Sequence, residues 1–245
     1  MFIVVSMATR HAPRERADAA DASLERLKQA VESLARERFG AAELLTTGPS
    51  APRFGLTRAQ ALDFVLELGA ALGAAPVYAR ILRGAADVIG ERGVDATSID
   101  DILRAADVSR RTYYQFFSDK AAVVEALLSL LFSAWAAVAE SALREAGRKE
   151  RFARSARVDV GAFVLAGWLA RALLGEALRP HTRASELLAS FLDRRAAAFG
   201  EGRGETRLLR ARVLAGIAAL IALDVGPHSS SKQIAEAQAL LDELG

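Results

Sequence analysis

The fold of this chain is decided by residues 97–125, TSIDDILRAADVSRRTYYQFFSDKAAVVE. Ser98 and Asp101 have the spacing of a capping box, in which each side chain bonds the other residue's backbone amide, so a helix is predicted to begin at Ile99. Apolar residues then recur at helical spacing, and Ser109 can cap a second helix after a turn at Asp107. Two short helices joined by a tight turn place the second helix across a DNA major groove.

The second of these helices separates apolar from hydrogen-bonding side chains. Tyr113 and Phe117 lie four residues apart and are predicted to pack inward with Val108. The outward-facing pairs, also four apart, are Arg110 with Tyr114 and Arg111 with Gln115. Arginine can form a fork to guanine or grip phosphate, glutamine can pair with adenine, and hydroxyls suit phosphate oxygens. The pattern therefore predicts a helix-turn-helix that reads DNA.

Residues 77–125, here called the reading unit, resemble the DNA-binding domain of the TetR family of bacterial transcriptional regulators. The resemblance is carried, in the family's order and spacing, by residues 80–86 (RILRGAA), 91–93 (ERG), 97–99 (TSI), Asp101, Ile102, Val108, Ser109, residues 112–114 (TYY), Phe117 and Lys120. It implies phosphate contacts from Ser98, Thr112, Tyr114 and Lys120, and base reading centred on Arg110, Arg111 and Gln115. Lys120 also opens the next helix, whose free amides favour a phosphate.

The reading unit departs from the family pattern at three positions. Asp107 stands where the family usually has the turn glycine, Leu103 replaces a small residue, and Phe116 replaces a polar aromatic. Aspartate enters the left-handed region more readily than most residues, so we expect the turn to form. Leu103 adds volume between the helices, and Phe116 has no donor for a phosphate.

Charge in the reading unit is nearly balanced, as it is in the whole chain, whose formal net charge is +2. The seven basic residues are Arg80, Arg83, Arg92, Arg104, Arg110, Arg111 and Lys120, and the eight acidic ones are Asp87, Glu91, Asp95, Asp100, Asp101, Asp107, Asp119 and Glu125. DNA binding would therefore depend on where the few basic side chains lie rather than on a large excess of positive charge. We expect modest non-specific DNA affinity and a shallow salt dependence.

Composition limits the class of protein. With 245 residues, 52% of them hydrophobic, the chain can bury a substantial core. The absence of cysteine removes disulfides and thiolate catalysis and fits the cytoplasm, which is the predicted location. No signal peptide is recognised, and the apolar runs at residues 160–175 and 213–223 are shorter than a membrane-spanning helix, so no membrane partner is predicted.

Helical patterns predict an all-α fold in three parts. Residues 1–76 form an N-terminal extension that the resemblance does not cover, helical and partly disordered, followed by the reading unit and by a helical second domain at residues 126–245. In the extension we expect a loose segment at residues 7–20 and a linker at 48–52. The predicted helices outside the reading motif cover residues 21–39, 57–72, 120–146, 151–176, 181–199, 205–224 and 231–244.

For the second domain, the resemblance implies ligand binding and dimerisation. Large aromatic residues are concentrated there, which is consistent with an apolar pocket between helices. The candidate pocket residues are Phe132, Trp135, Phe163, Trp168, Arg171 and Phe191. Arg171, the single charge in its apolar run, either meets an acidic ligand group or extends to solvent. Apolar stripes on the last two helices suit a four-helix interface in a homodimer.

Catalytic chemistry has no visible machinery in this sequence. His11, His181 and His228 lie far apart, and neither a phosphate loop, a nucleophile elbow nor a metalloprotease motif is present. We therefore predict that the chain is not an enzyme and has no cofactor and no metal site.

The favoured hypothesis is a homodimeric transcriptional repressor that holds a palindromic double-stranded DNA operator until a small apolar effector enters the second domain. Two alternatives stay open: control by a protein partner that docks on the N-terminal extension, and an interaction protein that has lost DNA binding. A further hypothesis is that Arg10, Arg14 and Arg16 form a basic arm that follows the DNA, although packing of the extension against the core is favoured.

Overall fold

The computed structural model describes residues 12–38, 63, 66–67, 69–144, 147, 151–199, 209, 213, 216, 232–233, 236 and 239. Seven helices are delimited within these residues: α1 (Ala12–Arg38), α2 (Pro76–Arg92), α3 (Ile99–Ala106), α4 (Arg110–Tyr113), α5 (Lys120–Arg144), α6 (Arg151–Ala177) and α7 (Arg183–Phe199). The described part of the chain contains no strand, so the predicted all-α class is confirmed.

The central helix of the fold is α5, which packs against α1, α6 and α7. It begins inside the reading unit at Lys120 and continues to Arg144, so one continuous helix spans the predicted boundary with the second domain. By length and composition α5 could cross a membrane, but 61% of its apolar window is buried within the molecule. That burial is what the core helix of a globular fold requires.

The reading unit is built on α2, which packs against α3 on one side and contacts α6 on another. Pro76 begins α2, where its missing amide costs no hydrogen bond, and Gly93 ends it at a φ of 84°. At Gly84 the two helices come so close that a Cβ would lie 2.7 Å from the backbone nitrogen of Ala106. The absent side chain thus sets how closely α3 approaches α2.

The first helix corrects one sequence expectation. Residues 7–20 were predicted to be loose, but α1 begins at Ala12 and the described residues 12–20 are helical. These positions lack an apolar stripe, yet alanine, arginine and glutamate have high helix propensity and extend the amphipathic helix backwards. Arg14 and Arg16 therefore lie in α1 rather than in an extended arm, while Arg10 lies outside the described residues.

The buried face of α1 connects the reading unit with the second domain. Leu27 and Ala30 are fully buried. The Ser23 hydroxyl accepts a hydrogen bond of 3.2 Å from the amide of Ala75, just ahead of α2. Farther along α1, Glu32 accepts from Arg194 of α7 at 2.8 Å. The described part of α1 is thus packed on its own chain, as the favoured interpretation expected.

A three-membered ion bridge holds α1, α5 and α7 together. The Arg194 guanidinium donates to Glu32 of α1 and, through Nε and Nη2, to the two carboxylate oxygens of Glu140 of α5 at 2.5 and 2.9 Å. These hydrogen bonds, chiefly those to Glu140, raise the pKa of Arg194, so its charge is permanent. The bridge fixes the lateral position of α1 on the bundle.

Helix boundaries after the reading motif agree closely with the sequence pattern. The helix expected at residues 120–146 is observed as Lys120–Arg144, that at 151–176 as Arg151–Ala177, and that at 181–199 as Arg183–Phe199. The helices expected at 57–72, 205–224 and 231–244 lie largely outside the described residues, and their described positions at 63, 66–67, 69–71, 209, 213, 216, 232–233, 236 and 239 are helical. The linker expected at 48–52 also lies outside them.

Candidate nucleic-acid interface

The turn between α3 and α4 is fixed by two serine caps and one left-handed aspartate. Ser98 and Asp101 form the predicted capping box: the Ser98 hydroxyl accepts from the Asp101 amide at 3.2 Å, and the Asp101 carboxylate accepts from the Ser98 amide at 3.0 Å. Asp107 ends α3 at φ 50° and ψ 55°. The Ser109 hydroxyl then accepts from the amide of Thr112 at 3.1 Å. Aspartate thus fills the turn position that usually has glycine.

An aromatic cluster anchors α4 to α2. Tyr113 is fully buried and Phe117 nearly so, while Phe117 stacks on Tyr78 with ring centroids 4.9 Å apart. The Tyr113 hydroxyl donates to the carbonyl of Asp119 at 2.8 Å, and burial raises the pKa of Tyr113, so it stays a neutral donor. Phe116 is half-buried with its edge against Tyr78. Phe116, which stands where the family usually has a polar aromatic residue, therefore packs against the core.

The opposite side of α4 faces solvent. The exposed side chains there are Arg110 and Arg111 of α4 and, in the turn that follows it, Tyr114 and Gln115. Tyr114 is 46% exposed, with its ring edge-on to Tyr113 at 5.3 Å. Thr112 is half-buried, and its hydroxyl shares a hydrogen bond of 2.7 Å with the hydroxyl of Ser109. The structure therefore brings the candidate base-reading residues together on one exposed surface.

Arg110 has a partner that the sequence did not reveal. Its Nη2 donates to the Asp100 carboxylate in the first turn of α3, and both side chains are more than half exposed. Arg111 and Gln115, by contrast, make no side-chain hydrogen bond or ion pair with the described residues. The sequence did offer an indication of this pair: Asp100 and Arg110 have opposite charges and lie in the first turns of two helices that a tight turn brings close together.

Lys120 has a structural role beside the predicted one. Its half-buried ammonium donates to the carbonyls of Val94 and Thr97 at 2.7 and 2.8 Å. These bonds fasten the loop between α2 and α3 to the start of α5. An ammonium has three donors, so one remains for a DNA phosphate. Ser98 is similarly engaged, since its hydroxyl donates to Asp101 at 2.6 Å.

Three of the candidate pocket residues in the second domain lie together. The rings of Phe132 and Phe191 stack at 4.7 Å, and Trp135 lies 5.3 Å from Phe191. Arg171 is exposed, so it does not join this cluster. Nothing is described of the side chains of Phe163 and Trp168.

Beside these rings lies a buried polar network that the sequence did not predict. The Asp159 carboxylate accepts from Trp135 Nε1 at 2.6 Å and from the Arg195 guanidinium at 2.6 and 3.0 Å. Arg195 also donates to the hydroxyl of Ser155. Burial raises the pKa of Asp159, and the Arg195 charge opposes that rise. Asp159 lies between Val158 and Val160 in the sequence, which indicated that its carboxylate would be buried. A buried carboxylate needs a cation beside it.

Comparison with known proteins identifies the reading unit. Residues 81–127 match the family model described as bacterial regulatory proteins, tetR family. Over 56 residues the chain is 39% identical to YvdT of Bacillus subtilis (strain 168), described as an uncharacterized HTH-type transcriptional regulator. That alignment covers 23% of this chain and 29% of YvdT, so the chain spans less than a third of the length of this relative. Residues 81–127 are therefore similar to the tetR family of bacterial regulatory proteins, in agreement with the resemblance that the sequence predicted for the reading unit.

Proposed function

We propose that this protein is a transcriptional regulator that binds double-stranded DNA by inserting α4 into the major groove. The observation that carries the proposal is the exposure of Arg110 and Arg111 of α4 and of Tyr114 and Gln115 directly after it, while Tyr113 is fully buried. A rigid aromatic anchor below and hydrogen-bonding side chains above are what a groove-reading helix needs. The match of this segment to a family of bacterial regulators supports the same function.

Within the interface, base reading falls to Arg110, Arg111 and Gln115. Arginine and glutamine can each make two hydrogen bonds to one base edge, which distinguishes guanine and adenine from other bases. Tyr114 and Lys120 contact phosphates and fix the register of α4 on the duplex. Ser98 and Thr112 join them when their hydroxyls exchange the bonds to Asp101 and Ser109 for a phosphate oxygen. Lys120 contacts a phosphate from the amino end of α5, where the helix dipole adds to its charge.

The working form of the regulator is a homodimer on a palindromic operator. Leu209 is 62% exposed and Val213 51% exposed, and both belong to the apolar stripe expected to face a second copy. Pairing such stripes across a two-fold axis buries them and presents two reading units. The two half-sites should then lie one helical turn of DNA, or a multiple, apart.

A small apolar effector acting in the second domain is proposed to release the DNA, so the protein is proposed to be a repressor. Its proposed location is the cytoplasm. The aromatic cluster of Phe132, Trp135 and Phe191 supplies the apolar surface. Phe163 and Trp168 remain further candidates from the sequence, whereas the exposed Arg171 could meet a ligand only at the rim of such a site. Because α5 carries Phe132 and Trp135 and also begins inside the reading unit, a shift of α5 changes the spacing of the two reading units. The effector drives this shift only if it binds the released conformation more tightly.

Selection of bound sequences from random duplex DNA by the purified protein tests the DNA-binding step. A symmetric enriched sequence is expected, with a centre-to-centre spacing that matches a helical turn. Arg111→Ala should lower affinity for that sequence by about 5- to 150-fold, the range for loss of one bidentate base contact. Arg144→Ala, which removes an exposed arginine from the far end of α5, is the matched control and should leave affinity unchanged. A lack of any enriched sequence would contradict the proposal.

Effector control needs a separate measurement. A panel of lipophilic compounds can be screened for binding through the fluorescence of the two tryptophans, and each binder then titrated into the protein–operator complex. Release of operator by at least one binder is expected. If every compound that binds leaves operator affinity unchanged, the switching step is wrong even though DNA binding stands.

Among the described residues, the two alternatives have little support beyond Leu72, which is 42% exposed at the end of the helix expected at 57–72. Docking of a partner on the extension needs a free apolar face, yet α1 turns Leu27 and Ala30 into its own core. Loss of DNA binding was suggested by Phe116, whose ring packs against Tyr78 and so has a structural reason to be apolar. Only the second alternative, an interaction protein that has lost DNA binding, predicts that Arg110→Ala with Arg111→Ala leaves the protein's binding partners unchanged.

A further inference from the structure

The ion pair between Asp100 and Arg110 bears on how the regulator distinguishes one DNA sequence from another. Arg110 Nη2 donates to Asp100 Oδ1 across the turn, and the exposed fractions of the two side chains are 57% and 61%. The adjacent acid, Asp101, is committed to the capping box and to Arg104. Asp100 has no part in that cap, so the helix start does not explain its contact with Arg110.

The contact engages only part of the arginine. A guanidinium has five N–H donors in a rigid fork, and the described bond to Asp100 uses one nitrogen. Donors remain for a two-point contact with the O6 and N7 atoms of guanine. Arg110 can therefore keep its bond to Asp100 while it reads a base.

The carboxylate changes which DNA atoms attract Arg110. Its negative charge cancels much of the long-range attraction between Arg110 and a phosphate. A guanine edge is dipolar rather than charged, so its attraction to Arg110 is weakened less by the nearby carboxylate. That attraction depends instead on the direction in which the guanidinium points. The partner also restricts a long flexible side chain before DNA arrives, so less rotamer freedom is lost on binding.

We infer that Asp100 is a positioning residue that makes Arg110 a guanine reader rather than a phosphate contact, and thereby sets the sequence selectivity of the interface. The inference rests on the proposed DNA-binding function and adds to it a residue that no base or phosphate contact would reveal. It also names the preferred half-site chemistry, a guanine within reach of Arg110.

The test is Asp100→Asn, which keeps the shape of the side chain and removes its charge. Non-specific affinity for duplex DNA should rise on the order of fivefold, the upper range for one exposed ion pair. The slope of log K against log salt should steepen by about one counterion per reading unit, because Arg110 becomes free to bind a phosphate. Selection from random DNA should show a weaker preference for guanine at one position of each half-site.

Three further variants separate the inference from simpler effects. Glu186→Gln removes an exposed acid that pairs with Arg183 in the second domain, so it matches the change in charge and should alter neither the salt slope nor the selectivity. Asp100→Glu keeps a carboxylate within reach and should restore both. In an Arg110→Ala background, Asp100→Asn should have little further effect.

The outcomes are distinguishable. If Asp100→Asn steepens the slope equally in the Arg110→Ala background, Asp100 acts directly on phosphates and the inference is overturned. It is also overturned if Asp100→Asn and wild type select the same guanine with the same preference. Binding by wild type in either case leaves the proposed function standing. A wild-type protein that binds no duplex DNA overturns the proposed function and this inference with it.

Discussion

At the scale of single residues, the Ser98 cap at the start of α3 also determines the pKa of the Asp101 carboxyl. Two hydrogen bonds from Ser98, one from its hydroxyl and one from its amide, lower the pKa of Asp101 to about 2. In the unfolded chain an aspartate titrates at about 3.9. The ionised carboxylate therefore stabilises the fold fully above that pH, and the stabilisation is lost as the pH falls through about 2.

Replacing Ser98 tests this coupling. Ser98→Ala should lower the free energy of unfolding by about 1 kcal/mol at pH 7, since an N-cap is lost, and should raise the pKa of Asp101. Urea denaturation of both proteins, with NMR titration of the Asp101 carboxyl, measures the two effects. Ser98→Thr keeps a cap and should lie close to wild type. An Asp101 that titrates near 4 in the wild-type protein would contradict the expectation.

The close approach at Gly84 gives a second prediction at this scale. Gly84→Ala places a Cβ 2.7 Å from the Ala106 nitrogen, which is backbone and must move with all of α3. We expect a loss of about 1–3 kcal/mol in the free energy of unfolding, the usual cost of overpacking. Gly175→Ala in α6, where no atom lies within 4 Å of the added carbon, should instead stabilise by about 0.5–1 kcal/mol. Thermal unfolding of the two variants should shift in opposite directions.

At the scale of helices, α6 and α7 are joined by a buried ion pair. The side chains of Asp159 and Arg195 are only 5% and 4% exposed, and Trp135 of α5 donates to the same carboxylate. Both carboxylate oxygens are engaged by the guanidinium. Such a pair contributes little net stability against apolar residues of equal volume, but either charge left alone is costly.

The pair is tested by removing one partner and then both. Arg195→Met should lower the free energy of unfolding by about 3–5 kcal/mol, because Asp159 is left buried without its cation. Adding Asp159→Leu should recover most of that loss, since no buried charge remains. Chemical denaturation at fixed pH measures both. A double variant as unstable as Arg195→Met would mean that packing around the network, rather than charge pairing, determines stability here.

Helices and contacts differed in how far the sequence could predict them. The bounds of α5 and α7 were predicted to within two residues, because apolar spacing and breakers such as Pro180 are local signals. The capping box and the left-handed Asp107 were equally local. The pairs Asp100–Arg110 and Asp159–Arg195, and the Lys120 contact with Val94, depend on how helices are arranged in three dimensions. Periodicity within one helix contains no information on them.

At the scale of the whole molecule, α1 ties the reading unit to the second domain. Arg26 donates to the carbonyl of Gly73 at 2.8 Å, next to the reading unit, and Glu32 bonds Arg194 in α7. A second tie runs from Asp95, after α2, to Arg179 at the end of α6. A rotation of the reading unit relative to α6 and α7 would therefore change these contacts, as the proposed effector control through α5 requires.

The charge balance of the molecule determines its salt dependence on DNA. The reading unit has seven basic and eight acidic residues, and several of its cations already have partners: Arg92 and Arg104 with Asp101, and Arg110 with Asp100. Lys120 shares its ammonium with two carbonyls, which leaves Arg111 as the least engaged cation at the tip of α4. Few cations are thus available to displace counterions from DNA.

We therefore expect a plot of log K against log salt for non-specific duplex DNA to have a slope of about −2 to −3 per reading unit, from two or three neutralised phosphates. Fluorescence anisotropy between 50 and 200 mM salt, roughly the range over which counterion release is well resolved, measures it. A steep slope, of about −6 or beyond per reading unit, would mean that the internal partners of Arg110 and Lys120 are given up on every sequence. Specificity would then have to come from base contacts alone, because the internal bonds of Arg110 and Lys120 would no longer restrict which DNA atoms these side chains contact.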